Sequence, residues 1–287
     1  MSFFSFILTE KCNWKCSYCE YPLMQKPNTT TKKILDKHMP YIMDMIINLG
    51  KNVTGIDVQG GEVGLIDLNI LRVFFKYIPF PVIISTNGKF LERGYNNDKV
   101  IRPLIKEIYY HVYPDPKKVK IEYKKYDDKI PIKNGIVHNN IEDMIDFIRI
   151  NENIFFDYIE FENPIYSKTK ISVNQYHVLI DKVKNFPNIS SKALNILKRK
   201  IEKNTPKREF CRKFSSTVTI DLVNERILLC HRSNSSYIHL SKTNLKKRLT
   251  SYPKDIFSID NCKSCVRLYS RWSSHEFEDP IKARKYL

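Results

Sequence analysis

Two periodicities alternate along the first half of the chain. Short runs rich in β-branched and aromatic residues, at 3–8, 53–58, 81–85, 107–112, 130–137 and 155–161, read as buried strands. Between them, segments with apolar residues three or four apart predict helices at 32–48, 67–77, 98–105, 115–126 and 141–150. Met39, Ile42, Met43, Ile46 and Ile47 fall on one helical face, and Asn140-Ile141-Glu142-Asp143 gives the last helix a capped start. Such alternation predicts an α/β fold, a parallel sheet of six βα units. In such sheets the carboxyl ends of the strands gather at one edge, where ligands collect.

The pattern then changes. Two helices are expected near 172–186 and 190–203, followed by an alternating run from Thr217 to Cys230 broken by the polar pair Asn224-Glu225. That run predicts a β-hairpin whose second strand ends on a cysteine. We divide the chain into a core at 1–165, a helical connection at 166–205 and a carboxyl-terminal region at 206–287, whose last residues, 273–287, are polar and carry no assigned chemistry.

Chemistry enters with the cysteines. Cys12, Cys16 and Cys19 stand in a C-x3-C-x2-C spacing that suits three corners of an iron-sulfur cube and leaves the fourth iron open to a small molecule. A zinc knuckle is the alternative, but it would need a fourth ligand, and beyond Cys19 only Glu20 is close, with His38 far away. The second expected strand runs into Gly60-Gly61-Glu62, where paired glycines let backbone approach a ligand and the carboxylate can accept from an amine. The third ends in Ser85-Thr86-Asn87-Gly88, short hydroxyl and amide side chains of which Asn87-Gly88 is equally a turn signal.

In order and spacing these three motifs resemble the radical S-adenosylmethionine (radical SAM) superfamily. The resemblance implies a partial (β/α)6 barrel and a [4Fe-4S] cluster on Cys12, Cys16 and Cys19 whose open iron chelates S-adenosyl-L-methionine. It further implies reductive cleavage to a 5′-deoxyadenosyl radical that abstracts hydrogen, with an electron donor such as flavodoxin or ferredoxin as partner. By the same resemblance Tyr18 packs near adenine, Gly60, Gly61 and Glu62 hold the methionine amine, and Ser85 and Asn87 lie near the carboxylate or ribose.

Four further cysteines, Cys211, Cys230, Cys262 and Cys265, come from three separated segments and could close fully around one metal. Their layout, two cysteines flanking a hairpin and then a C-x2-C pair, resembles the shorter, twitch form of the SPASM/twitch extension. That implies one auxiliary [4Fe-4S] cluster acting as an electron carrier in substrate oxidation; a four-cysteine zinc site fits the spacing as well. By position at strand ends, His111, His138, Glu160 and Glu162 are candidate general bases. The expected enzyme is an oxidoreductase or maturase acting on a peptide or a small polar molecule. The first strand lies so near Met1 that no amino-terminal peptide-recognition domain is expected.

Composition narrows this little. Seven cysteines, an odd number, and an amino terminus without a secretory layout favour a reducing, cytoplasmic setting over a disulfide scaffold. No apolar run reaches the roughly 18 residues of a membrane span. The net charge of +17 could attract nucleic acid or an anionic metabolite, yet the lysines are scattered, as in Lys117-Lys118-Val119-Lys120 and Lys198-Arg199-Lys200, and the AT-rich flavour of the composition accounts for them as simply. An RNA-binding protein with a carboxyl-terminal zinc module is the reading from another class.

Overall fold

The computed structural model describes residues 2–14, 28–112, 130–138, 140–161, 173–202, 217–230 and 233–250. Six strands follow one another in parallel: β1 (Ser2–Ile7), β2 (Val53–Gln59), β3 (Val82–Thr86), β4 (Ile105–Val112), β5 (Ile132–His138) and β6 (Tyr158–Phe161). Helices α1 (Lys32–Leu49), α2 (Leu68–Tyr77), α3 (Lys89–Glu92) and α4 (Ile141–Ile150) connect them, and α5 (Val173–Val183) and α6 (Ser191–Glu202) follow. The sheet is open: its order, β6-β5-β4-β3-β2-β1-β7-β8-β9, is linear rather than closed.

The expected hairpin is present as β7 (Thr217–Asp221) and β8 (Arg226–Cys230), joined by β9 (Ser233–His239) and helix α7 (Lys242–Thr250). Its placement was not foreseeable from its own residues. β7 runs parallel to β1, Phe3 opposite Thr217 and Ile7 opposite Asp221, so the hairpin continues the core sheet on the far side of the first strand.

Local signals account for the helix limits. Thr31 caps α1 by accepting from the Ile34 amide at 3.3 Å, and Gly50, at φ +52°, ends it. Asp67 caps α2, and Asn140 caps α4 through the amides of Glu142 and Asp143, as its sequence predicts. The buried stripe of α1 is Leu35, His38, Met39, Ile42, Met43 and Ile46. Ile47, expected on that stripe, is 53% exposed, because the stripe has turned past it.

The helix expected at 98–105 is a correction. The segment forms a turn and a 3-10 helix, Arg102–Leu104, and β4 has begun by Ile105. Asp98 accepts from the amides of Val100 and Ile101 with one oxygen and from the Arg72 guanidinium with the other, and Pro103 keeps Arg102 from continuing an α-helix. The helix expected at 115–126 lies outside the described residues.

One face of the sheet carries Phe4, Phe6, Ile56, Val58, Val82, Ile84 and Ile108, packed under α1, α2 and α3. A second cluster joins Ile136 and Ile159 to α4, α5 and α6. The opposite face is mixed: Ser5, Asp57, Ser85, Glu107, Tyr109, His111, Lys133, Tyr158 and Thr219 project from it by alternation along the strands. Gly135 on that face lies flat beneath the Tyr158 ring, and an added Cβ would sit 1.7 Å from ring carbon Cζ. A Gly135→Ala variant is therefore expected to displace the ring and lose about 1–3 kcal/mol of stability, measured by urea unfolding. Among the described residues no helix is long and apolar enough to cross a membrane.

Candidate functional site

Because β1, β2 and β3 are parallel neighbours, the loops leaving them start from one edge of the sheet. The loop after β1 brings Cys12, that after β2 brings Gly60-Gly61-Glu62, and β3 ends on Thr86 with Asn87-Gly88 following in its loop. Three hydrogen-bond sets join them.

The first set ties the β2 loop to the approach of the first cysteine. Gly61 N donates to Thr9 O at 2.8 Å, and Glu62 N donates to Lys11 O at 2.8 Å. The backbone approach that the paired glycines permit is therefore to this chain's own residues just ahead of Cys12. A Cβ on Gly60 would meet Thr9 O at 2.6 Å, and one on Gly61 would meet Lys11 O at 2.2 Å.

The second set is centred on Glu62, which is 1% exposed. Its Oε1 accepts from Gly64 N and Thr86 Oγ1, both at 2.7 Å, and its Oε2 accepts from Asn87 N at 2.7 Å. Burial pushes the carboxyl above its ordinary range, while the Asn87 amide, the Thr86 hydroxyl and the Gly64 amide pull it back. Thr86 Oγ1 also accepts from Gly88 N at 3.0 Å, fixing the turn in which Gly88 has φ +107°.

The third set reaches the cysteine. Asn87 Nδ2 donates to Asn13 Oδ1 at 2.9 Å and lies 3.9 Å from Cys12 Sγ, which accepts from Trp14 N at 3.4 Å. The Asn87 backbone forms the turn that the Asn-Gly pair signals, and its side-chain amide faces the cysteine. Burial raises the Cys12 thiol above its ordinary range; the Trp14 amide opposes this and the charge of Glu62 adds to it.

The described part of the site, the Cys12 thiol and the polar end of β3, suits one corner of a cluster with a polar ligand beside it. Ser85 Oγ, on a residue 7% exposed, has no hydrogen-bond partner among the described residues, at the strand end where a ligand's anionic or hydroxyl group would satisfy it. Nearby, Gln59 Nε2 donates to Ser5 Oγ at 2.5 Å.

Other expected residues fall elsewhere. His111 ends up half-buried near the end of β4, its Nδ1 3.2 Å from the Tyr158 hydroxyl, on the mixed face of the sheet. His138, Glu160 and Cys230 are placed in β5, β6 and β8 by their backbone alone. Cys16, Tyr18, Cys19, Glu162, Cys211, Cys262 and Cys265 lie outside the described residues.

Sequence reasoning overlooked Thr86, which locks two loops together, and Glu10, Asn28 and Asn224, which meet at the base of the cysteine loop. Glu10 N donates to Asn28 O at 2.9 Å, and the Glu10 carboxylate accepts from Asn28 Nδ2 at 3.3 Å and from Asn224 Nδ2 at 2.8 Å. The available signal was polar residues bounding the cysteine segment and filling the hairpin turn.

No family model and no curated protein matches this sequence. Solved structures do match in fold. Native anSMEcpe with bound AdoMet and Cp18Cys peptide aligns at a TM-score of 0.58 and 13% identity, over 92% of this chain and 86% of that one. The same protein with bound AdoMet and Kp18Cys peptide aligns at 0.57 and 13% identity, with the same coverage. BtrN in complex with AdoMet and 2-DOIA aligns at 0.47 and 16% identity, over 92% of each chain. The α/β fold expected from the alternation, six parallel strands, is found as an open sheet that the antiparallel hairpin strands continue.

Proposed function

We propose that this chain is a radical SAM enzyme, and the observation that carries the proposal is the meeting of Cys12, the Glu62-locked β3 turn and the Asn87 amide at one sheet edge. The fold shared with anSMEcpe, whose structure holds AdoMet, supports it. Cys12, Cys16 and Cys19 would hold a [4Fe-4S] cluster, and Tyr18, Gly60, Gly61, Glu62, Ser85 and Asn87 would bind S-adenosyl-L-methionine. When bound, these groups supply a 5′-deoxyadenosyl radical that removes hydrogen from a substrate C–H bond.

The protein's own part is positional. Gly60 and Gly61 let the β2 loop lie against residues 9–11 and so fix where Cys12 emerges. Glu62 holds the β3 turn, and the free hydroxyl of Ser85 is offered to the ligand's polar groups. Substrate would lie over the mixed face of the sheet, where His111, backed by Tyr158, is the described candidate for moving a proton. Of the substrates considered, a peptide or a small polar molecule, the peptide bound by anSMEcpe supports the first. Cys211, Cys230, Cys262 and Cys265 would hold an auxiliary [4Fe-4S] cluster that carries an electron away, and an external donor such as flavodoxin or ferredoxin would supply one to the first.

The test is anaerobic reconstitution with iron and sulfide, followed by reduction in the presence of S-adenosyl-L-methionine. The parent is expected to hold about eight irons and to form 5′-deoxyadenosine; a Cys262→Ala/Cys265→Ala variant should fall to about four irons. Cys16→Ala should form no 5′-deoxyadenosine. A parent that forms none, or a Cys16→Ala variant that still does, would overturn the proposal.

A further inference from the structure

The turn between β7 and β8, more than 190 residues after the cysteine loop, grips both arms of that loop. On the incoming arm, Leu222 N donates to Ile7 O at 3.0 Å and Asn224 Nδ2 donates to Glu10 Oε1 at 2.8 Å. On the outgoing arm, Thr30 Oγ1 donates to Leu222 O at 3.3 Å, and Glu225 bonds Lys37 Nζ at 2.5 Å and His38 Nε2 at 2.6 Å in the second turn of α1. The arms also hold each other: Thr30 N donates to Leu8 O at 2.9 Å, and the hydroxyls of Thr9 and Thr29 lie 2.9 Å apart.

The turn itself is stiff. Asp221 Oδ1 accepts from the amides of Val223 and Asn224, both at 3.1 Å, while its Oδ2 accepts from Asn224 Nδ2 at 2.9 Å and Arg226 Nε at 2.7 Å. Glu225 takes a φ of +50°, rare for a residue with a side chain, and its carbonyl accepts from Leu240 N at 2.8 Å. Asn224 is therefore held by Asp221 before it reaches Glu10, two residues ahead of Cys12.

From this we propose that Asn224 and Glu10 are positioning residues for the first metal site: the hairpin turn is a buckle that fixes the width of the loop's neck and so the point from which Cys12 is presented. The inference rests on the cluster assignment made above. Its physical content is that closing a 17-residue segment between Glu10 and Asn28 costs chain entropy, and a neck tied at a fixed width meets that cost during folding rather than during metal capture.

The experiment measures the rate at which a chelator strips iron from the reconstituted full chain, read by the colour of the iron complex. The Cys262→Ala/Cys265→Ala background is used so that only the first site contributes. Asn224→Ala is expected to speed iron release about tenfold, the loss of its charge-assisted hydrogen bond to Glu10, and Glu10→Ala at least as much, because it also loses the bond from Asn28 Nδ2. The double variant should be little faster than Glu10→Ala alone, because the Asn224–Glu10 contact at the neck is already lost in it. Glu10→Gln, whose amide oxygen can still accept from Asn224, should recover most of the retention. Asn188→Ala serves as a purely structural comparison: it removes the bonds from Asn188 Nδ2 to the carbonyls of Ile148 and Asn151, remote from the neck, and should lower the unfolding midpoint without speeding iron release. If Asn224→Ala releases iron at the background rate, or if iron release in every variant tracks the unfolding midpoint, the buckle is wrong. If the background protein captures no iron through Cys12, Cys16 and Cys19, it is the cluster assignment that fails.

Discussion

A Gly61→Ala variant is expected to lose most of its bound iron while keeping its secondary structure. The added methyl would sit 2.2 Å from Lys11 O, 2.7 Å from Lys11 C and 2.9 Å from Glu10 C, all backbone atoms that cannot rotate aside. Relief requires the β2 loop and residues 9–11 to part, which breaks the bonds from Gly61 N to Thr9 O and from Glu62 N to Lys11 O. The cost should be about 2–4 kcal/mol, and the movement is transmitted directly to Cys12. Gly94→Ala is the informative contrast. Gly94 has φ +67°, and a methyl added there would meet nothing within 4 Å, so the variant should cost about 1–2 kcal/mol in backbone strain and leave iron content unchanged. Equal iron losses in the two variants would mean that the close approach to Lys11 has no special role.

The second large effect is expected at Glu62. In Glu62→Gln, one oxygen becomes an amide nitrogen that must face either the Gly64 amide or the Asn87 amide, a donor against a donor in a buried site. Stability should fall by about 1–3 kcal/mol. As the β3 turn shifts from Cys12, 5′-deoxyadenosine formation should fall about a hundredfold, the scale of a small displacement at a reacting centre. The pH dependence has a definite sign. Burial raises the Glu62 carboxyl above its ordinary 4.5, so the folded chain holds that proton more tightly than the unfolded chain does. Its contribution is full at pH below the ordinary value and declines as pH climbs from there through the raised one. Urea midpoints across a pH series should show the parent's advantage over Glu62→Gln shrinking along that climb, and an advantage that grows with pH would contradict the raised carboxyl.

Much of this arrangement is legible in the residues themselves. The strand and helix periods gave the parallel order of β1 to β6, because neighbours in sequence are neighbours in the sheet. Asn140 announced its own helix, and the glycine pair announced a close approach. Sequence did not reveal what the glycines approach: the identity of Lys11 O as the neighbour depends on a pairing across about 50 residues, which no local pattern records. The same holds for β7, whose alternation predicts a strand but says nothing of β1 as its partner. Asn224 and Glu225 carry a turn signal, and their second task, holding Glu10 and His38, is written only in three dimensions. At 98–105 the local rule failed because two local signals competed, Asp98 offering its carboxylate to nearby amides and Pro103 opposing an α-helix, against an apolar spacing that suggested one.

The seat of β7 beside β1 also has a bearing on how the protein is made. Ser2–Ile7 leaves the ribosome about 210 residues before Thr217–Asp221, a wait of about 10–40 s at ordinary synthesis rates. Throughout that interval the first strand can pair with β2 but lacks its other neighbour, so its free edge, carrying Phe3, Phe4 and Phe6, is open to other nascent chains. Shortened products ending before residue 217 should therefore aggregate where the longer chain does not, and the neck of the cysteine loop should close late in synthesis, once the hairpin arrives.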